Sequence, residues 1–232
     1  MKIRAIDAPM GPLIMLIAAV FLIVSAITDH QWLYWLAALL VLICLGMYLN
    51  ASLNGKYQII DETIRNLHLK PTAQVLDLGC GQGAALIRIA QYLEVPGRVI
   101  GIDLWKKSDQ SNNSLKRAQA NLQAAELADL AEVQTADMIN LPFDDHQFDC
   151  IFASLSIHNV KPAINRARAI QEAARVLKAD GTLAIIDIEH VDEYQKVLEN
   201  LGFHNVMVKK CGARGWWGGP WLSTKVLLAK RF

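Results

Sequence analysis

The stretch "VLDLGCGQGAAL", Val75 to Leu86, decides how the rest of the chain is read. Apolar residues frame Asp77, glycines follow at alternate positions (Gly79, Gly81 and Gly83), and a helix-like run begins at Ala84. Glycine admits backbone conformations closed to other residues and lets the chain pass close to a ligand. A strand, a glycine turn and a helix in this order open a ligand-binding α/β sheet.

The same alternation continues outward from this stretch. Upstream, Tyr57 to His68 reads as an amphipathic helix with Ile60, Ile64 and Leu67 on one face, broken by "KPT". Gln74 to Leu78 is the first strand, and Ala84 to Leu93 is the helix after it. Downstream, strands are expected at Arg98 to Ile102, Ala131 to Thr135, Phe148 to Ser154 and Thr182 to Ile188. Helices are expected at Asn113 to Glu126, Ala163 to Leu177 and Asp192 to Leu201, with "KADG" (Lys178 to Gly181) as the turn before the fifth strand. Two last strands, His204 to Lys210 and Leu222 to Ala229, flank a loop rich in tryptophan and glycine. Repeated βα units predict a parallel sheet covered on both faces. Ligands in such sheets sit outside the carboxyl ends of the strands.

The amino-terminal fifty residues have a different character. "PLIMLIAAVFLIVSAI" (Pro12 to Ile27) and "WLYWLAALLVLICLGMYL" (Trp32 to Leu49) carry no charge, and only "TDHQ" separates them. A bilayer core needs about 20 helical residues, with about 17 as the lower limit. The chain therefore divides into a transmembrane hairpin at residues 1–52, with spans at about 10–27 and 32–49, and a second domain at 53–232. Lys2 and Arg4 precede the hairpin and Lys56 follows it, so both ends face the cytoplasm. That points to the cytoplasmic membrane, with Trp32, Tyr34 and Trp35 as an outer aromatic belt. Small residues (Ala18, Ala19, Ala37, Ala38 and Gly46) suit close helix packing, and an oligomer through the hairpin is compatible with them. The competing readings are a signal peptide cleaved after "VSA" and a soluble hairpin buried in an oligomer.

Composition narrows the partners. The net charge is +1, which does not suggest nucleic acid as the main partner. Cys44, Cys80, Cys150 and Cys211 form no CxxC pair and have no zinc spacing, so reduced thiols and no metal site are expected.

Taken alone, the glycine loop leaves its ligand open. Gly79, Gly81 and Ala84 match the dinucleotide fingerprint, while Asp77 with Gly79, Gly81 and Gly83 matches a tighter DxGxGxG form. Asp103, at the end of the second strand, suits ribose hydroxyls in both cases. The later motifs separate the two. "VLDLGCGQG", "VIGIDLW" (Val99 to Trp105), "ADMINLPF" (Ala136 to Phe143), "FDCIFASLSIHNV" (Phe148 to Val160) and "ARVLKADGTL" (Ala174 to Leu183) occur in order. From Tyr57 onward the chain resembles the class I S-adenosylmethionine-dependent methyltransferases of the small "type 11" kind.

The resemblance implies a Rossmann-like, mainly parallel seven-stranded sheet with an antiparallel last strand, here preceded by two transmembrane helices. It implies S-adenosyl-L-methionine as cofactor. Gly79, Cys80, Gly81 and Gly83 would pass beneath its methionyl part, and Asp77 would stabilise its ammonium. Asp103 would hold the ribose, Leu104 or Trp105 would pack on adenine, and Asp137 and the Met138 backbone would meet its edge. Ser154, at the end of the fourth strand, completes the expected cofactor set. Asp137 also reads as a solvated loop residue. The polar run Ser108 to Asn113 departs from the commonest pattern, and Ser111 or Asn112 is expected to cap the following helix, with a binding loop near the cofactor as the alternative.

The acceptor side is less determined. His158 lies just past the fourth strand beside Asn159 and is the candidate general base. The competing role is a histidine that orients its loop. Tyr57, Asn159, Arg214, Trp216 and Trp217 complete the candidate acceptor site; for "GARGWWGGPW" (Gly212 to Trp221) an acceptor or membrane-interface role is favoured over plain packing. The hairpin suggests a small, hydrophobic or lipid-like acceptor and contact with membrane lipids. A membrane-anchored NAD(P) oxidoreductase and a non-catalytic scaffold with the same fold are the rival classes.

Overall fold

The computed structural model describes residues 6–106 and 113–231. Lys2, Arg4 and the expected caps Ser111 and Asn112 lie outside them. A seven-stranded sheet forms the centre, in the order β3 (Ala131–Thr135), β2 (Arg98–Asp103), β1 (Gln74–Leu78), β4 (Phe148–Ser154), β5 (Leu177–Asp187), β7 (Lys225–Lys230), β6 (Asn205–Lys210). The strands from β3 to β5 run parallel, and β7 pairs antiparallel with both β5 and β6. β1 is the hinge of this order. The chain leaves it first toward β2 and β3, then returns to its other side with β4. A crevice opens where strand order reverses, at the carboxyl ends of β1 and β4.

Both faces of the sheet are covered. α3 (Lys56–Leu67), α4 (Ala84–Ala90) and α5 (Leu115–Ala124) bury Ile60, Ile64, Leu86, Ile89 and Leu122 against one face. α6 (Ala163–Val176) and α7 (Val191–Asn200) bury Ile170, Ala173, Tyr194 and Leu198 against the other. Each fully buried Leu or Ile contributes about 1.5–3 kcal/mol, so this two-faced core supplies the rigidity on which the crevice is built.

Several boundaries differ from the sequence reading, most by a residue or a few, and three have a clear physical cause. α5 begins at Leu115, two residues later than expected, because Ser114 is its cap: the hydroxyl accepts from the Arg117 N–H at 3.2 Å. The "KADG" segment is part of β5 and does not precede it. Between the pairs Phe148↔Leu177 and Cys150↔Thr182, two steps along β4 face five along β5, so the turn-forming residues bulge within the strand. Lys178 pins the bulge to Asp149 of β4 at 2.7 Å. Lastly, Leu222 to Thr224 do not belong to the last strand. They pair with Gly215 to Trp217 and fold the tryptophan loop back on itself.

α1 (Met10–Thr28) and α2 (Trp32–Asn50) form an antiparallel pair. Ala19, Ala26 and Ala38 are buried in it, whereas Gly46 is exposed and meets nothing within 4 Å. Its outer surface is apolar; Phe21 is 69% exposed and Trp32 70%. α2 does not stop at the expected boundary. It continues through a π-helical turn, Ala51–Gly55, directly into α3. The hairpin is thus joined to the sheet domain by unbroken helix. Gly55 permits this junction to close on the tryptophan loop: an added Cβ would fall 1.8 Å from the Arg214 carbonyl oxygen.

Candidate active site

A cavity of roughly 370 Å³ occupies the crevice at the ends of β1, β2 and β4. Its floor is the glycine loop. The Gly79 and Cys80 N–H groups donate to the Ile102 carbonyl at 2.8 and 3.0 Å, which bends the loop over the end of β2. Gly79 sits at φ +71°, and a Cβ there would lie 2.4 Å from the Ser156 Cβ. Ser156 cannot withdraw easily, because its hydroxyl donates to the Leu78 carbonyl at 2.7 Å. Gly81 and Gly83 also hold left-handed backbone, at φ +51° and +90°. Gly83 forms the turn into α4 and does not itself line the cavity. Cys80 lines it, but burial, with the charges of Asp77 and Asp103, pushes its thiol well above the usual range. A thiolate nucleophile is therefore not available there.

Asp77 is the unusual residue of this floor. It is 1% exposed, and neither carboxylate oxygen has a hydrogen-bond partner among the described residues. Burial, then the nearby charge of Asp103, pushes it up to about 7; the Leu86 backbone amide opposes this weakly, without reaching hydrogen-bond geometry. A buried acid without a partner suits a ligand that brings a cation. The ammonium of S-adenosylmethionine meets that need. The pyrophosphate that a dinucleotide would bring to a glycine loop does not, so the buried acid decides what the loop left open.

A pH dependence follows. A cation prefers ionised Asp77, and below about pH 7 ionisation must precede or accompany binding. Cofactor affinity should rise with pH through about 7, and binding near pH 6.5 should release a proton. Calorimetry in buffers of different ionisation enthalpy reads that proton directly. Proton-neutral binding would assign the ammonium to another group.

Asp103 closes the next wall. Its Oδ2 accepts from the Gly81 N–H at 2.9 Å, and its Oδ1 from the Trp105 N–H at 2.6 Å and the Asn113 amide at 3.1 Å. These bonds fix the carboxylate at the cavity edge, where ribose hydroxyls would add further donors. Asn113, buried and lining the cavity, was not singled out individually from sequence; it stood there as the first residue of an expected helix and the end of the polar run whose alternative role was a binding loop near the cofactor. Leu104 lines the cavity, but Trp105 does not: its indole donates to Thr135 at 2.7 Å and its ring packs on the core beside the loop. Asp137 and Met138 both line the cavity. One Asp137 oxygen is used locally, accepting from the Ile139 N–H at 3.1 Å.

Another part of the lining holds His158, the candidate general base. Ser154 ends β4, Leu155 turns at φ +53°, and a 3₁₀ turn, Ile157–Asn159, presents His158 and Asn159 to the cavity. Asp187, the last residue of β5, is fully buried behind them. Four donors compensate that burial: His158 Nδ1 at 2.5 Å, the His158 N–H at 3.1 Å, the Ile188 N–H at 2.9 Å and the Tyr194 hydroxyl at 3.3 Å. A carboxylate only accepts, so Nδ1 carries the proton and Nε2 is the basic nitrogen. Burial and the charge of Asp187 push the Tyr194 phenol far above its usual range, which keeps it a neutral donor. Neither Asp187 nor Tyr194 was among the residues singled out from sequence.

The amino-terminal segment also contributes to the cavity lining: Asp7, Ala8 and Tyr48 line it, beside Lys56 at the start of α3 and Trp217. The Tyr48 and Trp217 rings meet edge to face, with centroids 5.4 Å apart at 84°. Of the expected acceptor residues, Asn159 and Trp217 reach the cavity, and Tyr57, Arg214 and Trp216 do not. Tyr57 is buried beside Arg88, whose guanidinium lies 4.6 Å from its ring centre. Arg214 is held by Glu62 at 2.7 Å, and Trp216 bridges to Ser223 within its own loop.

Comparisons agree with this architecture. Residues 76–185 match a family model described as a methyltransferase domain. Over 132 residues the chain is 33% identical to the demethylmenaquinone methyltransferase of Lactiplantibacillus plantarum, covering 57% of this chain and 52% of that protein. Over 142 residues it is 32% identical to the 2-phytyl-1,4-naphtoquinone methyltransferase of Trichormus variabilis, covering 61% and 58%. The chain thus spans little more than half the length of these relatives. A SAM dependent methyltransferase structure from Aquifex aeolicus superposes with a TM-score of 0.58 over 75% of this chain and 89% of that one, at 22% identity, a likeness of fold.

Proposed function

We propose that this chain, which carries a class I S-adenosylmethionine-dependent methyltransferase domain, methylates a small hydrophobic acceptor drawn from the membrane. One observation carries the reading: Asp77, whose carboxylate has no partner among the described residues, and His158, backed by Asp187, line the same cavity. A cation site and a base in one space suit a sulfonium methyl donor and an acceptor that must lose a proton.

The chain's residues divide the work. Asp77 and the glycine loop hold the methionyl end, and Asp103 with Asn113 and Leu104 holds the ribose and adenine side. The bound cofactor supplies an activated methyl group whose sulfur departs as a neutral thioether, so no general acid is needed. His158 Nε2 takes the proton of the acceptor's attacking group. Asp187 keeps the imidazole in the right tautomer and stabilises the imidazolium, as buried carboxylates do behind catalytic histidines. Alignment of the two substrates within the walled cavity contributes as much as about 7–11 kcal/mol.

The relatives named above carry quinones in their names, and the reduced, hydroquinone form of such a molecule is an aromatic ring with ionisable hydroxyls and an apolar tail, which favours an acceptor of that kind. The exposed apolar surface of α1 and α2 supports anchoring in a bilayer, and Lys2, Arg4 and Lys56 flanking the hairpin favour the sheet domain on the cytoplasmic side. A labelled-methyl experiment on membranes containing the full chain tests both parts. Label is expected in the organic extract, in a product smaller than a phospholipid. Label confined to water-soluble products would defeat the membrane-acceptor reading.

A further inference from the structure

We infer that the base of the hairpin is itself part of the acceptor site, with Lys56 as the group that binds a polar or anionic oxygen of an amphiphilic aromatic acceptor. This inference rests on the methyltransferase reading above and adds the acceptor's contacts to it. The hairpin and Lys56 lie outside residues 76–185, the segment that matches the methyltransferase model.

Lys56 is 6% exposed and lines the cavity at the start of α3. Its ammonium pairs with Asp7, which is tied down in turn. The Asp7 N–H donates to the Ser52 hydroxyl at 2.9 Å, and the Tyr48 hydroxyl donates to the Asp7 carbonyl at 2.9 Å. The cation is thereby fixed at the cavity lining. Beside it stand the Tyr48 and Trp217 rings, an apolar wall suited to a flat ring. A buried ion pair adds little stability over an apolar pair of similar size. Packing alone therefore gives no reason to keep one here, whereas recognition of an oxygen does. An acceptor ring against Tyr48 and Trp217, with one oxygen on Lys56 and its reacting group toward His158, would lead its apolar tail out along the hairpin into the bilayer.

The test uses the full chain in lipid nanodiscs and reduced 2-phytyl-1,4-naphthoquinone as probe. It measures probe binding by tryptophan quenching, acceptor KM by methyl transfer, and cofactor Kd by calorimetry. Lys56→Met is expected to weaken probe binding and raise KM by about tenfold or more, the worth of one charged hydrogen bond, with cofactor Kd within about threefold. Lys56→Arg should recover most of the loss. The exchanged pair Asp7→Lys with Lys56→Asp keeps an ion pair but moves the cation, and it should stay impaired. Equal probe binding in wild type and Lys56→Met, full recovery in the exchanged pair, or no probe binding by wild type would each overturn the site. Probe binding that depends on Lys56, without any methyl transfer, would instead keep the site and refute the methyltransferase reading.

Discussion

Replacing His158 with alanine is expected to lower kcat by about 10²- to 10⁴-fold, the usual range for a positioned general base. The cofactor Kd should change by no more than a few-fold, because Asp77, Asp103 and the glycine loop lie on other elements of the cavity. The structural basis is the Asp187 carboxylate, buried behind the ring and satisfied by four donors. Asp187→Asn keeps the shape but permits the wrong tautomer, and kcat should fall in the same direction with cofactor affinity preserved. A structural role for His158 would instead lower thermal stability or cofactor affinity in step with turnover. Added imidazole offers a further check, since it should restore part of the His158→Ala rate if the missing group is a base. Unchanged turnover in His158→Ala would remove it from the chemistry.

Asp77→Asn should move two measurements in opposite directions. Cofactor affinity is expected to fall by about 10²- to 10⁴-fold, since a buried ammonium left without its counter-charge costs about 3–5 kcal/mol. The protein without cofactor should become more stable. The sign follows from Asp77 being pushed up to about 7 by burial and by Asp103. Below the ordinary carboxylate range both folded and unfolded states hold the proton, and Asp77 contributes no difference. As pH rises toward 7 the unfolded chain ionises there while the folded one resists, so the folded state is progressively disfavoured. Above about pH 7 that penalty is complete and constant. Asparagine removes it, so Tm without cofactor should rise at pH 8 and change little at pH 4. For a chain of 232 residues each kcal/mol appears as about 2–4 °C. A variant that lost both affinity and stability would mean that Asp77 is a structural residue.

Both predictions concern residues whose importance was visible to different degrees beforehand. Asp77, Asp103 and the glycines declare themselves by local spacing, because a glycine turn between strand and helix must be written in consecutive residues. His158 was visible as a histidine just past a strand, yet its competing role of orienting a loop was equally consistent with the sequence. The structure adds Asp187, 29 positions away, behind the imidazole, and nothing local to either residue announces the pairing. The "KADG" turn was a true local signal with a different outcome, because pairing with β4 absorbed it as a bulge inside β5. Trp216, Trp217 and Trp221 look alike in sequence. Only Trp217 turns inward to the cavity; Trp216 pairs within the loop and Trp221 is 76% exposed.

The sequence by itself determined the βα alternation, the glycine loop with its two acids, and two apolar helices long enough to span a bilayer. Each of these rests on short-range rules: periodicity, backbone freedom at glycine, and unbroken hydrophobic length. Tertiary structure alone decided that β5 lies beside β4 and so sets Asp187 against His158, and that α2 runs unbroken into α3 and brings Asp7, Tyr48 and Lys56 to the cavity lining. Those juxtapositions depend on strand order and on how the hairpin closes against the tryptophan loop. Both are properties of long-range packing between segments that carry no local record of each other.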